Sequence, residues 1–398
     1  MKKRLQNMAS ALPINLLLSI MLTVTACTHI GIADDKFKPH VLEKLDSEFA
    51  SGRHGYIDGF LVLHNDKVVM QSRYQQDYIT PFEKIDSDPV EASSWGKGKE
   101  EYYYVDPNWH PWKDGGDLHT VQSVTKSVTS ALIGIAVLRG EIDSVDIKVA
   151  PLLDSPAPFN GDPLSEELTL RHILTMTTGI DWNETNYEEG ENDGNQLELA
   201  KNWQQYVLSK PFRNTPGTVF NYNSGTSLLL DVVLFKSTGM HAAEYAKKHL
   251  FEPLGIKSFH WKTTPDGLSD TLGGLYLSSQ DLARFGKLYA NNGVWDGIRI
   301  LPEDWIQDSF SPAISVEGHP DWTAESHRGW AYGYLWWLLP DPDYPDKFVP
   351  VARGYGGQRL VLLGEDNVIA VLYGWNISDG ASEYSDADFL ERLVQAFR

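Results

Sequence analysis

The order of hydropathy patterns along the chain predicts an α+β fold, with a sheet assembled from the two ends and a mainly helical insertion between them. Strand-like alternation occurs after Tyr56 and again from Tyr332, while apolar residues at helical spacing dominate from Ser123 to about Gly293. At 398 residues, 42% apolar and 22% charged, the chain can bury a substantial core as one or two domains.

The first 26 residues have the pattern of an export signal. Three basic residues at positions 2–4 precede a mostly apolar stretch over residues 11–24. That stretch is shorter than the roughly 20 residues a spanning helix needs, and it contains Pro13. A signal peptide over residues 1–26 is therefore predicted, followed by a tether and first helix over residues 27–55.

The single cysteine, Cys27, follows the small residues Thr25 and Ala26. One cysteine excludes an intrachain disulfide and disfavours a structural zinc or iron–sulfur site. Residues 24–27 resemble the lipobox of bacterial lipoproteins, in which the cysteine is lipidated and becomes the new N-terminus. The resemblance implies an exported protein that is lipid-anchored on the periplasmic side, in the outer membrane because Thr28 rather than aspartate follows. The alternative is a secreted protein cut after Ala26, with a free cysteine.

The charge balance limits the partners. With 54 acidic and 34 basic side chains, the net charge of −20 repels phosphate backbones and disfavours nucleic acid. The acidic segment 184–193 does not have the spacing of a calcium loop and is interpreted as solvated. We expect no metal ion and no cofactor, and a small molecule as substrate.

The remaining elements follow from local patterns. Apolar residues at positions 41, 42, 45 and 49 predict a short amphipathic helix, and residues 57–69 predict a hairpin that turns at positions 64–66. A loop-rich aromatic segment covers residues 80–116, and a closing helix begins at about Asp386. Later strands are predicted at 332–339, 348–353, 358–363 and 368–375. The α/β part thus comprises residues 56–120 and 330–398, and the mainly helical part residues 121–329.

Two S-x-x-K sequences occur, and the second has a setting that suits catalysis. Ser94 and Lys97 lie in a loop where nothing fixes both side chains on one side, and this pair is interpreted as coincidence. Ser123 and Lys126 open a helix, so the hydroxyl and the amine share one face of its first turn. Serine becomes a nucleophile when a neighbouring base takes its proton. The alternative is that Ser123 caps the helix and Lys126 is a solvated charge.

Two later motifs are candidate partners of this pair. Tyr222 and Ser224 lie two residues apart before an apolar helix, where a tyrosine can relay a proton to a leaving group; the alternative is a packed tyrosine beside a helix cap. Residues 354–357 are glycine-rich and lead into a strand. The backbone N–H of Gln358 there can pair with that of Ser123 as an oxyanion hole, or the glycines mark a bulge.

Together these motifs resemble one enzyme superfamily. The matching residues, in chain order, are Ser123-x-x-Lys126, Tyr222-x-Ser224 and Gly354-Tyr355-Gly356-Gly357. They resemble the serine β-lactamases and penicillin-binding proteins, and more closely the branch of 6-aminohexanoate-dimer hydrolase and class C-related esterases. The resemblance extends from Tyr56 to the C-terminus and implies a β-lactamase/transpeptidase-like fold.

For the site, the resemblance implies that Ser123 is acylated with Lys126 as its base. Tyr222 then moves the proton to the leaving group and later activates water. The substrate-binding or oxyanion residues would be Ser224, Tyr355, Gly357 and Gln358, with Trp182 lining the pocket unless it is simply packed.

Two departures from the family pattern bear on the substrate. Ser224 stands where many lactamases and transpeptidases have asparagine, and Tyr355 stands where they have a lysine that grips the substrate carboxylate. Arg353 or Arg359 is a candidate replacement for that charge. We therefore predict hydrolysis of an ester or linear amide. The alternatives are a β-lactamase or D,D-carboxypeptidase, and a catalytically silent cell-wall-binding module.

Overall fold

The computed structural model describes residues 36–76, 116–153, 155–184, 192–317, 327–377 and 384–398. The predicted signal peptide, Cys27, the S-x-x-K sequence at Ser94 and most of the aromatic segment lie outside these residues. So does most of the acidic segment after Glu184. No helix in the described part of the chain is long and apolar enough to cross a bilayer.

Strands come from both ends of the sequence, as the hydropathy order predicts. In chain order they are β1 (Ile57–His64), β2 (Lys67–Arg73), β3 (His119–Thr120), β4 (His260–Trp261), β5 (Leu275–Leu277), β6 (Val294–Trp295), β7 (Ile298–Arg299), β8 (Ile314–Ser315), β9 (Ala331–Tyr332), β10 (Trp337–Pro340), β11 (Phe348–Gly354), β12 (Gln358–Leu363) and β13 (Val368–Gly374). Eight of them form one antiparallel sheet in the order β2-β1-β13-β12-β11-β10-β9-β8. A small sheet, β3-β5-β4, lies beside the nucleophile candidate.

The helices fill the middle of the chain and cover the sheet. In chain order they are α1 (Pro39–Ala50), α2 (Val124–Leu138), α3 (Leu170–Leu174), α4 (Asp193–Leu199), α5 (Trp203–Leu208), α6 (Ser224–Thr238), α7 (Ala242–Ala246), α8 (Ser279–Ala290), α9 (Glu303–Ser309) and α10 (Asp386–Phe397). The amphipathic first helix and the closing helix thus form where the sequence predicts them. With the antiparallel sheet, they give the α+β fold expected from the sequence.

Both faces of the sheet are covered because successive side chains of a strand point to opposite faces. On one face, Phe60 of β1 packs edge-on against Phe49 of α1 and Phe389 of α10. On the other, α8 approaches so closely that a Cβ on Gly286 would lie 2.9 Å from the Leu360 side chain. Helix α2 is buried on nearly every side, including the polar residues of its first two turns, and contacts β11, β12 and α6.

One predicted strand is divided in two. The sequence predicts a continuous strand over residues 332–339, but β9 ends at Tyr332 and β10 begins at Trp337. Between them Leu335 adopts a left-handed φ of 59°, and its N–H donates to the Leu174 carbonyl of α3 at 2.8 Å. Gly333 also packs against the Ser309 carbonyl. These tertiary contacts draw the backbone out of the sheet. The alternating hydropathy of residues 332–339 does not reveal such contacts.

Candidate active site

A strained turn brings Ser123 to the start of α2. After β3, Gln122 adopts a left-handed φ of 47°, and its backbone N–H and side-chain amide both donate to Thr120 Oγ1. Ser123 occupies the N-cap position, but its side chain makes no capping hydrogen bond. Its hydroxyl is therefore not used to end the helix, contrary to the capping alternative.

The glycine-rich end of β11 passes directly behind this turn. A Cβ on Gly354 would lie 2.4 Å from the carbonyl oxygen of Val121, so a side chain there would collide with the backbone before Ser123. Glycine is thus required by the close approach of the sheet to the nucleophile segment.

Lys126 is a buried partner of Ser123. Its side chain is 1% exposed, and Nζ lies 2.9 Å from Ser123 Oγ and 2.7 Å from the Leu272 carbonyl oxygen. A solvated surface lysine is excluded by this burial. The arrangement puts a buried amine within proton-transfer distance of a hydroxyl that lines a cavity.

The carbonyl that holds Lys126 belongs to a turn organised by Asp270. Asp270 Oδ1 accepts the N–H groups of Leu272 at 3.1 Å and Gly273 at 3.0 Å. Burial raises the pKa of Asp270, although Lys262 and Lys126 act in the opposite direction. Neither Asp270 nor Leu272 is suggested by a motif, because the turn is 146 residues from Lys126 in sequence.

Tyr222 lies on the other side of the lysine. Lys126 Nζ is 5.1 Å from the centroid of the Tyr222 ring. The half-buried ring stacks on Trp337, with centroids 5.7 Å apart and planes inclined by 23°. The structure thus brings Ser123, Lys126 and Tyr222 together, and Trp337 of β10 is a supporting residue that sequence reasoning missed.

Ser224 makes contacts that were not predicted. Asn223, not Ser224, caps α6, accepting the Thr226 N–H at 2.9 Å. The Ser224 hydroxyl donates to Glu184 Oε1, and its backbone N–H donates to Glu184 Oε2 at 2.7 Å. Glu184 is therefore a buried residue of the site and not part of a solvated acidic loop.

Trp182 packs beneath α6 and is absent from the lining of the cavity beside Ser123. Its indole N–H donates to Glu184 Oε2 at 2.7 Å. Its ring lies over Gly225, where an added Cβ would be 2.4 Å from the nearest ring carbon. This placement fits the interpretation of Trp182 as a packed residue, whose indole N–H helps to hold the Glu184 carboxylate.

A small cavity of about 50 Å³ opens beside the nucleophile. Its lining residues are Gln122, Ser123, Glu184, Gly194, Asn195, Leu197, Glu198, Ser224, Leu272, Gly273 and Tyr355. Tyr355 and Ser224 thus share this cavity with Ser123, and their substrate-binding or oxyanion role stays a prediction. Burial raises the pKa of Glu198 in its wall to about 8.

A larger cavity, of about 670 Å³, lies at the opposite end of β12, near Leu363 and the C-terminal Arg398. It has more room for a ligand. No nucleophile and base pair like Ser123 and Lys126 occurs among its lining residues. We therefore take the cavity at Ser123 as the candidate active site on chemistry rather than size.

Gly357 lies in the turn between β11 and β12, Gln358 is the first residue of β12, and neither lines the small cavity. Gly357 has a φ of 102°. The Gln358 side chain is buried and donates to the carbonyls of Tyr355 at 3.1 Å and Gly374 at 2.5 Å. This side chain fixes the turn, and the oxyanion role of the Gln358 backbone N–H stays a prediction.

Neither candidate arginine is available to grip a substrate carboxylate. Arg353 Nη2 lies 2.7 Å from Asp386 Oδ2, and Arg359 Nε binds the other oxygen of the same carboxylate. Arg353 also stacks between Trp330 and Trp337, each 5.1 Å from its guanidinium carbon. The pKa of Asp386 is lowered, because these two arginines outweigh the effect of burial.

In the described ranges, no group of three or more His, Cys, Asp or Glu side chains is placed to hold a metal ion.

Comparison with known proteins places this geometry among related folds. A family profile described as Beta-lactamase matches residues 60–395. The 6-aminohexanoate-dimer hydrolase of Paenarthrobacter ureafaciens is 24% identical over 275 residues, covering 65% of this chain and 67% of that protein.

Two solved structures extend the likeness in fold. A penicillin binding protein from Bacillus halodurans has a TM-score of 0.58 at 18% identity, covering 89% of this chain and 100% of its own. A D-stereospecific amidohydrolase from Streptomyces sp. has a TM-score of 0.60 at 14% identity, covering 90% of this chain and 98% of its own. At these identities, the likeness shows a shared fold.

Proposed function

The chain belongs to the beta-lactamase family, and on that premise we propose that it is a serine hydrolase that cleaves an ester or linear amide bond through an acyl-enzyme on Ser123. The observation that carries the proposal is the 2.9 Å contact between Lys126 Nζ and Ser123 Oγ in a buried site. Hydrolysis of amides by relatives such as the D-stereospecific amidohydrolase is consistent with this reaction class.

In the first step, the Lys126 amine keeps one N–H on the Leu272 carbonyl and acts as the base for the Ser123 hydroxyl. The serine oxygen attacks the substrate carbonyl carbon as its proton passes to Lys126. The N-terminal end of α2 lies at Ser123 and favours the negative charge that develops on the carbonyl oxygen.

In the second step, the leaving group takes a proton through Tyr222, and the acyl group remains on Ser123. The support for this role is that the centroid of the Tyr222 ring lies 5.1 Å from Lys126 Nζ, the atom that takes the serine proton. Water then attacks the acyl-enzyme and the same groups act in reverse, which returns Ser123 with its proton.

An ester or linear amide is favoured over a β-lactam or a D,D-peptide. Penicillin-recognising members of the superfamily use a lysine in the third motif for the substrate carboxylate, and this chain has Tyr355 there. Arg353 and Arg359 are both committed to Asp386. Neither of these two arginines is therefore placed to bind a carboxylate next to the scissile bond.

We also propose that the enzyme is exported and tethered by a lipid on Cys27. The support is the basic and apolar N-terminal segment that ends in Thr-Ala-Cys. The substrate would then meet the enzyme on the periplasmic side of the membrane, at the surface of the outer membrane.

The test is hydrolysis of a short-chain nitrophenyl ester by wild type, Ser123→Ala and Ser94→Ala. Wild type and Ser94→Ala should release nitrophenol at similar rates, and Ser123→Ala should release almost none. Ser94→Ala is the matched control, because Ser94 begins the other S-x-x-K sequence. A chromogenic cephalosporin, measured in parallel, should be a much poorer substrate. Equal activity of Ser123→Ala and wild type would contradict the proposal, and faster cephalosporin turnover would favour the β-lactamase alternative.

A further inference from the structure

Glu184 receives three hydrogen-bond donors at the edge of the active-site cavity. The Trp182 indole N–H and the Ser224 backbone N–H both donate to Oε2, each at 2.7 Å. The Ser224 hydroxyl donates to Oε1. An ionised carboxylate has no hydrogen to donate, so in each of these three hydrogen bonds Glu184 is the acceptor and its partner is the donor.

The direction of the Ser224 hydrogen bond decides what Ser224 can offer a substrate. A serine hydroxyl has one hydrogen and an oxygen with two acceptor sites. Because the hydrogen goes to Glu184, only the acceptor sites of Ser224 Oγ remain for the cavity that it lines with Ser123. An asparagine at this position, as many family members have, would offer a side-chain N–H instead.

The acyl part of the substrate is the part that stays at Ser123 after the first half of the reaction. After the leaving group departs, the acyl chain is covalently held by Ser123, whose cavity is also lined by Ser224 and Glu184. We infer that the enzyme selects acyl groups that present an N–H donor to Ser224 Oγ; this inference rests on the proposed acyl-enzyme. Glu184 is the positioning residue that fixes this preference.

Substitution of Glu184 by glutamine should reverse the preference. Glutamine has nearly the same shape, but only one of its two terminal atoms accepts. Its oxygen is required by the two N–H donors of Trp182 and Ser224, which turns its NH₂ group towards Ser224 Oγ. The Ser224 hydroxyl then accepts from glutamine, and its own hydrogen becomes free to point into the cavity.

The experiment compares nitrophenyl esters whose acyl chains have equal length. One chain carries a primary amine, one a neutral amide N–H, one a ketone at the same position, and one only CH₂ groups. Wild type should prefer both N–H chains to the ketone by about tenfold in kcat/KM, the usual effect of one matched against one mismatched polar contact. Glu184→Gln should favour the ketone chain instead.

The two N–H chains separate hydrogen bonding from charge. Glu198 also lines the cavity, and its carboxyl is ionised above its raised pKa of about 8, so in alkaline buffer an ammonium group could gain from charge alone. A preference for the amine without a preference for the neutral amide N–H would overturn the inference. Glu198→Gln is the matched control, because it changes another carboxyl of the same cavity. In this variant kcat/KM should still be higher for the neutral amide chain than for the ketone chain.

Ser224→Ala provides a second test that does not depend on how Glu184→Gln folds. It removes the acceptor and should bring the amide-to-ketone ratio close to one. Unchanged ratios in both variants would overturn the inference while leaving Ser123 as nucleophile. If folded wild type hydrolysed none of the four esters, the proposed function itself would be contradicted. Failure of the inference can therefore be distinguished from failure of the proposed function.

Discussion

Replacement of Lys126 by methionine removes the amine while keeping an unbranched side chain of similar length. In wild type the amine contacts Ser123 Oγ at 2.9 Å and the Leu272 carbonyl at 2.7 Å, and the side chain is 1% exposed. The substitution therefore deletes two polar contacts with little change in packing.

The catalytic effect should greatly exceed the effect on stability. A positioned general base contributes about 10²–10⁴ in rate, so kcat/KM for a nitrophenyl ester should fall by at least about a hundredfold, or roughly 3 kcal/mol in activation free energy. The Leu272 carbonyl loses a buried partner, which costs about 1–3 kcal/mol. Removal of a buried amine offsets part of that loss.

The assay pairs ester hydrolysis with urea unfolding of the same preparation. Lys148→Met is the matched control, because Lys148 is exposed and its amine donates to the Glu167 carbonyl at 3.2 Å. It should retain wild-type kcat/KM. Retention of more than about a tenth of wild-type kcat/KM by folded Lys126→Met would refute the base assignment.

Three further outcomes are expected. Gly225→Ala should lower the free energy of unfolding in urea by about 1–3 kcal/mol, because its Cβ would meet the Trp182 ring at 2.4 Å; Gly364→Ala, with open space around its Cβ, should not. Asp386→Asn should destabilise the fold above about pH 4, since the folded-state pKa of Asp386 lies below its ordinary value of 3.8, and the difference from wild type in pH-dependent melting should shrink as acid protonates the carboxyl. Cys27→Ser should move the protein from the membrane to the soluble fraction, and unchanged membrane retention would contradict lipidation.

Local patterns in the sequence predict the elements that carry the nucleophile. Helical spacing after Ser123 and the i,i+3 relation to Lys126 depend only on the geometry of one helix turn, so they are visible without tertiary information. The hairpin of β1 and β2 and the closing helix are predicted for the same reason. The arrangement of motifs also suggests the family.

Contacts between distant parts of the chain could not be predicted in this way. Glu184 and Ser224 are 40 residues apart, and a carboxylate in an acidic segment is indistinguishable from a solvated one until the fold buries it. A weak signal was present, because Trp182 and Glu184 lie two residues apart, within reach of one another. The commitment of Arg353 and Arg359 to Asp386 likewise depends on where α10 begins.

The central claim is that Ser123 is the acylated nucleophile, and intact-protein mass after reaction with a fluorophosphonate tests it most directly. The serine oxygen displaces fluoride from phosphorus, so each labelled molecule gains one phosphonyl group. Wild type should gain a single adduct, and Ser123→Ala should gain none. An unlabelled wild type, or equal labelling of the alanine variant, would contradict the claim.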